Sequence, residues 1–155
     1  MKGNKEIIKR LNARLAEELT AINQYMVHSE MCDNWGYGLL HKEIEKRAID
    51  EMKHAEKLIG RILFLDGIPI VSNYNKLYIG STVDAMHKND RIAEEGAIKA
   101  YNEDVKFASD VKDNGTKDLL QSILDDEEAH IDKIEEYLDQ IEQMGLQIYL
   151  STYKL

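Results

Sequence analysis

The chain has 155 residues, 43% hydrophobic and 32% charged, with 1 proline, 9 glycines and a formal net charge of −9. That is enough chain to bury a sizeable core in one domain, and the composition excludes disordered and collagen-like classes. The acidic balance argues against non-specific nucleic-acid binding, and no apolar run approaches the roughly 18 residues that a membrane helix needs.

Four long segments carry helical periodicity, with breakers between them. The first runs from about Lys5 to Asn34 and stops near Gly36 and Gly38. The second runs from about Leu39 to Asp66 and stops at Gly67-Ile68-Pro69. The next stretch, GIPIVSNYNKLYIGS, has no helical pattern; at about 3.3 Å per residue it can span roughly 50 Å, the length of a bundle. Ser81 or Thr82 is a suitable N-cap for a third helix that continues to about Lys112. Asn114-Gly115 breaks the chain, and Thr116 is expected to cap a fourth helix ending before Gly145. An apolar tail, LQIYLSTYKL, follows. The expected fold is all-α: two antiparallel hairpins joined by one long crossover into a four-helix bundle. One domain covers residues 1–155, with the bundle over about 5–144 and a short C-terminal helix over about 146–153.

The apolar stripes contain charges. In the first helix the inward positions are Ile8, Leu11, Leu15, Glu18, Ile22, Tyr25 and Ser29. Glu51 and His54 interrupt the second stripe, Glu94 the third, and Glu127 and His130 the fourth. Burying an unpaired carboxylate is very costly, so these residues need a counter-charge. The two halves also repeat. A shift of 76 residues lays Glu18, Ala21, Ile22 and Tyr25 on Glu94, Ala97, Ile98 and Tyr101. The same shift lays Asp50, Glu51 and His54 on Asp126, Glu127 and His130. Two such hairpins bring four glutamates and two histidines to one level, the arrangement of di-iron and di-manganese carboxylate sites. Four carboxylates with two neutral imidazoles carry −4, which two divalent cations balance. Oxygen and imidazole ligands without thiolate suit iron or manganese, and zinc also binds such sets. A lone Glu-x-x-His is common on helices; the repetition singles out these two. Asp90 and His87 fit the third stripe loosely and receive no assignment. Tyr25 reads equally as a core residue and as a neighbour that assists the ligands.

With AEELTAINQY, DEMKHAE followed by RILFLDG, IAEEGA, DDEEAHID and the closing MGLQIYL, the chain resembles a bacterioferritin over essentially its whole length. The resemblance implies a ferritin-like fold and a ferroxidase that stores iron. Glu18 and His54 would be terminal ligands of one iron, Glu94 and His130 of the other, and Glu51 and Glu127 would bridge them. Two ferrous ions would pass electrons to dioxygen or hydrogen peroxide, with ferric mineral stored in a homo-oligomeric shell of 24 subunits built from two-fold dimers. A ferredoxin-type donor would serve iron release. The resemblance also implies haem between paired subunits, held by Met52 of each. By spacing alone Met52 is interface packing, on a second apolar face of its helix with Ile49, Ile59 and Leu63.

The apolar tail likewise suggests that assembly covers it. The solitary Cys32 and an N-terminus without an apolar signal core, MKGNKEIIKR, lead to an expected cytoplasmic location. Two positions depart from some family members. Lys46 would repel iron where others carry a histidine used with Asp50 on the inner surface, and Ile148, near Ser151, would disfavour cations in a shell channel. Competing readings are a di-iron peroxide reductase without mineral storage, resembling rubrerythrin but without its paired Cys-x-x-Cys motifs, and a structural bundle whose glutamates and histidines pair with each other. DNA-protecting mini-ferritins fit less well, because they lack two intrachain Glu-x-x-His motifs.

Overall fold

The computed structural model describes residues 1–154. Within them are five helices and no strand: α1 Lys5–Asn34, α2 Gly38–Phe64, α3 Val83–Asp110, α4 Asn114–Met144 and α5 Leu146–Thr152. No helix among the described residues is long and apolar enough to cross a membrane. Helix α1 packs chiefly on α2 and α3 on α4, and contacts of α1 with α3 and α2 with α4 close the bundle.

Local chemistry explains the boundaries. The Asn4 side chain accepts from the backbone N–H groups of Glu6 and Ile7 at 2.8 and 3.1 Å, capping α1. After α1 the chain turns at Gly36, whose φ of 83° is easy only for glycine. Thr82 caps α3 by accepting from Ala85 N. The start of α4 differs from expectation. Its break falls at Lys112, with φ 61°, and the N-cap is Asp113, immediately before the Asn-Gly pair, which lies inside the helix. Thr116 lies inside the first turn, donating its hydroxyl to Asp113 at 2.6 Å and its backbone N–H to the same side chain at 3.1 Å. Arg61 of α2 also donates to Asp113, at 2.9 Å, so this cap ties the two hairpins together.

The stripe of α1 is also shifted at its start: Ile7 is buried and Ile8 only partly so. The core divides into two apolar clusters. One gathers Leu11, Leu15, Leu58, Ile62 and Ile123, and the other Leu40, Ile44, Met86, Tyr137 and Tyr149. Between them lies the level of Glu18, Glu51, Glu94 and Glu127, all buried. The tail forms α5 and buries Tyr149 against its own bundle. Its apolarity is thus partly satisfied within the chain, although Ile148 stays exposed.

The crossover between α2 and α3 has no regular structure, so its backbone needs partners. A polar stripe on α1 supplies them. Asn12 accepts from Ile70 N at 2.9 Å, Thr20 from Asn75 N at 2.8 Å, Gln24 from Tyr78 N at 3.1 Å and His28 from Gly80 N at 3.0 Å. Residues four apart stack on one helix face, so this stripe tracks the crossover along α1. Asp113→Ala is expected to lower stability by about 1 to 2 kcal/mol, as loss of an N-cap does. Chemical denaturation checks this, and an unchanged midpoint would mean the cap is not holding the α3–α4 turn.

Candidate metal centre

The four bundle helices bring all six expected residues together. Two groups of four can each offer one atom to a common point: Glu18, Glu51, His54 and Glu127, and Glu51, Glu94, Glu127 and His130. Within each group these atoms lie within 4.8 Å of one another. Glu51 and Glu127 belong to both groups, so the two points share two carboxylates.

Each residue is held from behind, crosswise between the halves. Tyr25 on α1 donates to Glu94 Oε1 on α3 at 2.5 Å, and Tyr101 on α3 donates to Glu18 Oε1 on α1 at 2.5 Å. His54 Nε2 meets Asp126 Oδ2 at 2.8 Å, and His130 Nε2 meets Asp50 Oδ2 at 3.1 Å. Each aspartate precedes the glutamate of the opposite Glu-x-x-His helix. Such outer partners fix which ring nitrogen faces a metal. Tyr25 therefore reaches the opposite helix rather than the glutamate on its own. The sequence assigned Tyr101, Asp50 and Asp126 no supporting role at the centre, although the 76-residue repeat pairs Tyr101 with Tyr25 and the two aspartates with each other.

The inward atoms are left without partners. Glu18 Oε2, Glu51 Oε1, Glu94 Oε2, Glu127 Oε1, His54 Nδ1 and His130 Nδ1 are all buried without a hydrogen bond. The Nδ1 atoms do lie near carboxylates: His54 is 3.2 Å from Glu127 and His130 is 3.0 Å from Glu51. They nevertheless miss the direction an N–H···O bond requires. Nitrogen and oxygen atoms that converge on a point without bonding each other suit a cation at that point. The donor set therefore fits a pair of divalent metal ions.

Without metal, protons balance the charge. Burial opposes a cation at His54, but Glu127, Glu18 and Asp126 outweigh it and push the imidazole up to about 11. At His130 burial is likewise overcome by Glu127 and Glu94, which raise it to about 10. Burial and repulsion from Glu18, Glu127 and Glu94 raise Glu51 well above the carboxylate range. Burial and Glu127 raise Glu94 to about 8. Glu127 goes the other way: burial would raise it, but His130 and His54 hold it below its usual range.

A second buried polar cluster lies beside the centre. Asp90, fully buried on α3, accepts from Gln24 at 2.8 Å and Arg47 at 3.1 Å and lies 2.9 Å from His28 Nδ1. Burial disfavours the Asp90 carboxylate, yet His28 and Arg47 hold it below its usual range. His87, also fully buried, meets the Tyr149 hydroxyl at 2.9 Å, and burial followed by Arg47 pushes it down to about 3. The sequence left both residues unassigned; the signal for Asp90 was the polar pair Gln24 and His28, four apart on α1, that faces it. Glu30, His41 and Glu45 also come within metal-ligand distance of one another, but near the surface. Met52 is apart from all of these, 45% exposed on the outer face of α2 with Ile49 and Leu63.

A carboxylate and imidazole pair of metal positions inside a four-helix bundle with one long crossover defines the ferritin class. Residues 8–144 match the family model described as a ferritin-like domain. The chain is 41% identical to a bacterioferritin of Streptomyces coelicolor over 98% of its own length and 91% of that protein. It is 38% identical to a bacterioferritin of Mycolicibacterium paratuberculosis over 96% and 94%. A bacterioferritin of Rhodobacter capsulatus is 37% identical over 95% and 91%. The chain belongs to the bacterioferritin family.

Ligation requires neutral imidazole and ionised carboxylate, so metal uptake near pH 7 displaces the protons that now balance the site. Titrating the metal-free protein with zinc in a pH-stat is expected to release at least one proton per imidazole. The apparent affinity should rise from about pH 6 to about pH 8, because protons compete with the metal. Uptake without proton release would contradict the raised imidazole values.

Proposed function

We propose that the chain stores iron and is a ferroxidase, binding two ferrous ions as substrate at the centre between α1, α2, α3 and α4. The observation that carries this reading is the pair of four-residue groups sharing Glu51 and Glu127, with inward atoms lacking partners. Glu18 and His54 hold one ion, Glu94 and His130 the other, and Glu51 and Glu127 bridge. Each ferrous ion gives up one electron, and the pair passes two to dioxygen or hydrogen peroxide; the ferric product is stored in the cavity of a 24-subunit shell. Two close metals let one site handle both electrons. The chain's own part is positional. Tyr25 and Tyr101 fix Glu94 and Glu18, while Asp126 and Asp50 hold the imidazoles so that Nδ1 faces inward. Preorganised ligands of this kind need little rearrangement when metal arrives.

The same reading includes haem between paired subunits, which Met52 of each would hold through its thioether. Support comes from the exposure of Met52, Ile49, Met26 and Val27, which leaves an apolar outer surface on α1 and α2 that this chain does not cover. When bound, haem would supply one-electron chemistry.

Glu127→Ala is expected to abolish fast iron oxidation while the assembly keeps its native size, since it removes a ligand shared by both positions. Stopped-flow absorbance after mixing with ferrous iron in air is the measurement, and wild-type rates would mean the ligand set is wrong. Met52→Ala is expected to lose a bis-thioether haem spectrum. Wild-type protein that is colourless after expression with ample haem would reject the axial assignment.

A further inference from the structure

We infer that Glu30, His41 and Glu45 form a separate divalent-cation site, apart from the buried centre. It takes zinc or another transition-metal ion that accepts nitrogen and oxygen ligands, and it clamps α1 to α2 beside their turn.

The imidazole is fixed first. His41 Nδ1 lies 3.1 Å from the backbone carbonyl oxygen of Ser29 and 2.9 Å from its Oγ. A carbonyl oxygen can only accept, so Nδ1 carries the proton. The Ser29 hydroxyl donates its own hydrogen to the His41 carbonyl at 3.3 Å, which leaves Oγ as a second acceptor for the same ring N–H. Ser29 is buried on α1, so the ring is anchored on its protein side. In the neutral imidazole the other nitrogen, Nε2, then holds a lone pair. An imidazole bonded at Nδ1 to a backbone carbonyl and open at Nε2 is the usual arrangement of a metal-ligating histidine.

Two carboxylates complete the set. Glu30, His41 and Glu45 each offer one atom, and these atoms lie within 4.8 Å of one another. Glu45 Oε2 is 3.7 Å from His41 Nε2, too far for a hydrogen bond. Ligand atoms about 2.0–2.2 Å from one tetrahedral zinc lie roughly 3.4 Å apart, so that spacing suits two ligands of a shared ion. His41 and Glu45 are four apart on α2 and share a face, while Glu30 follows Ser29 on α1. The one salt-bridge partner that either glutamate has among the described residues is His41 itself. With that imidazole neutral, their charge is uncompensated, and a divalent cation supplies what is missing. One nitrogen and two oxygens suit zinc, ferrous iron or manganese. Glu45 lies six residues before Glu51, about 9 Å along α2 and about 120° around it, so this site faces away from the centre. Glu30 and Glu45 are exposed, and an ion reaches them from solvent.

Zinc content of the full-length protein, dialysed at low micromolar free zinc, tests the site. His41→Ala removes the nitrogen. Glu45→Gln keeps the shape and the His41–Ser29 bonds while removing an anionic oxygen. Both variants are expected to hold one zinc fewer per chain than wild type. The count is a difference between proteins that share an unaltered centre, so it reads this site whatever the centre holds. Anomalous diffraction at the zinc edge is expected to place the extra ion on His41 Nε2. Zinc content in His41→Ala equal to wild type, or an anomalous peak that leaves Nε2 out, would overturn the site. Full zinc retained in Glu45→Gln alone would strike Glu45 from it.

Discussion

Four carboxylates buried at one level of a helical bundle are the constraint on which the rest of this molecule depends. Left ionised and unpaired in a low-dielectric interior, they would repel one another strongly enough to oppose folding. The chain places two imidazoles among them, and in the absence of metal it retains protons on His54, His130, Glu51 and Glu94. Protons held there offset the carboxylate charge, and a divalent ion competes with them for the same atoms. A site able to balance itself with protons or with metal can load and unload without unfolding.

The surrounding architecture serves the same layer. Apolar clusters lie on either side of it, so hydrophobic burial drives assembly while the polar level decides register. Pseudo-two-fold repetition lets each half hold the other: tyrosines reach across between α1 and α3, and aspartates across between α2 and α4. Because every support comes from the opposite hairpin, correct docking of the hairpins and correct orientation of the ligands are one event. The crossover then closes the side of α1 and α3, tied down by a polar stripe of α1 whose members Gln24 and His28 also contact buried Asp90.

Much of this was legible in the sequence, for definite reasons. Helical period exposes any charge that falls on an apolar stripe, and a 76-residue repeat doubles the signal, so Glu18, Glu51, His54, Glu94, Glu127 and His130 could be named before any coordinates. Less legible were groups whose importance depends on a partner far away in the chain. Asp113 rather than Thr116 caps α4, because a side chain that also receives Arg61 from α2 outcompetes a local threonine. Asp90 and His87 looked peripheral because their partners, Arg47 and Tyr149, lie 43 and 62 residues away. The tail seemed to need another subunit because its own bundle offers Tyr149 a place only after folding.

By itself, then, the sequence determined the helices, the crossover, the level of the charged layer and the identity of its six members. All of these follow from periodicity, breakers and internal repetition, which are properties of neighbours along the chain. Tertiary structure alone decided that Tyr25, Tyr101, Asp50 and Asp126 each hold a ligand of the opposite hairpin and that the Nδ1 atoms face inward. Those depend on distances between different helices, and no one-dimensional pattern contains them.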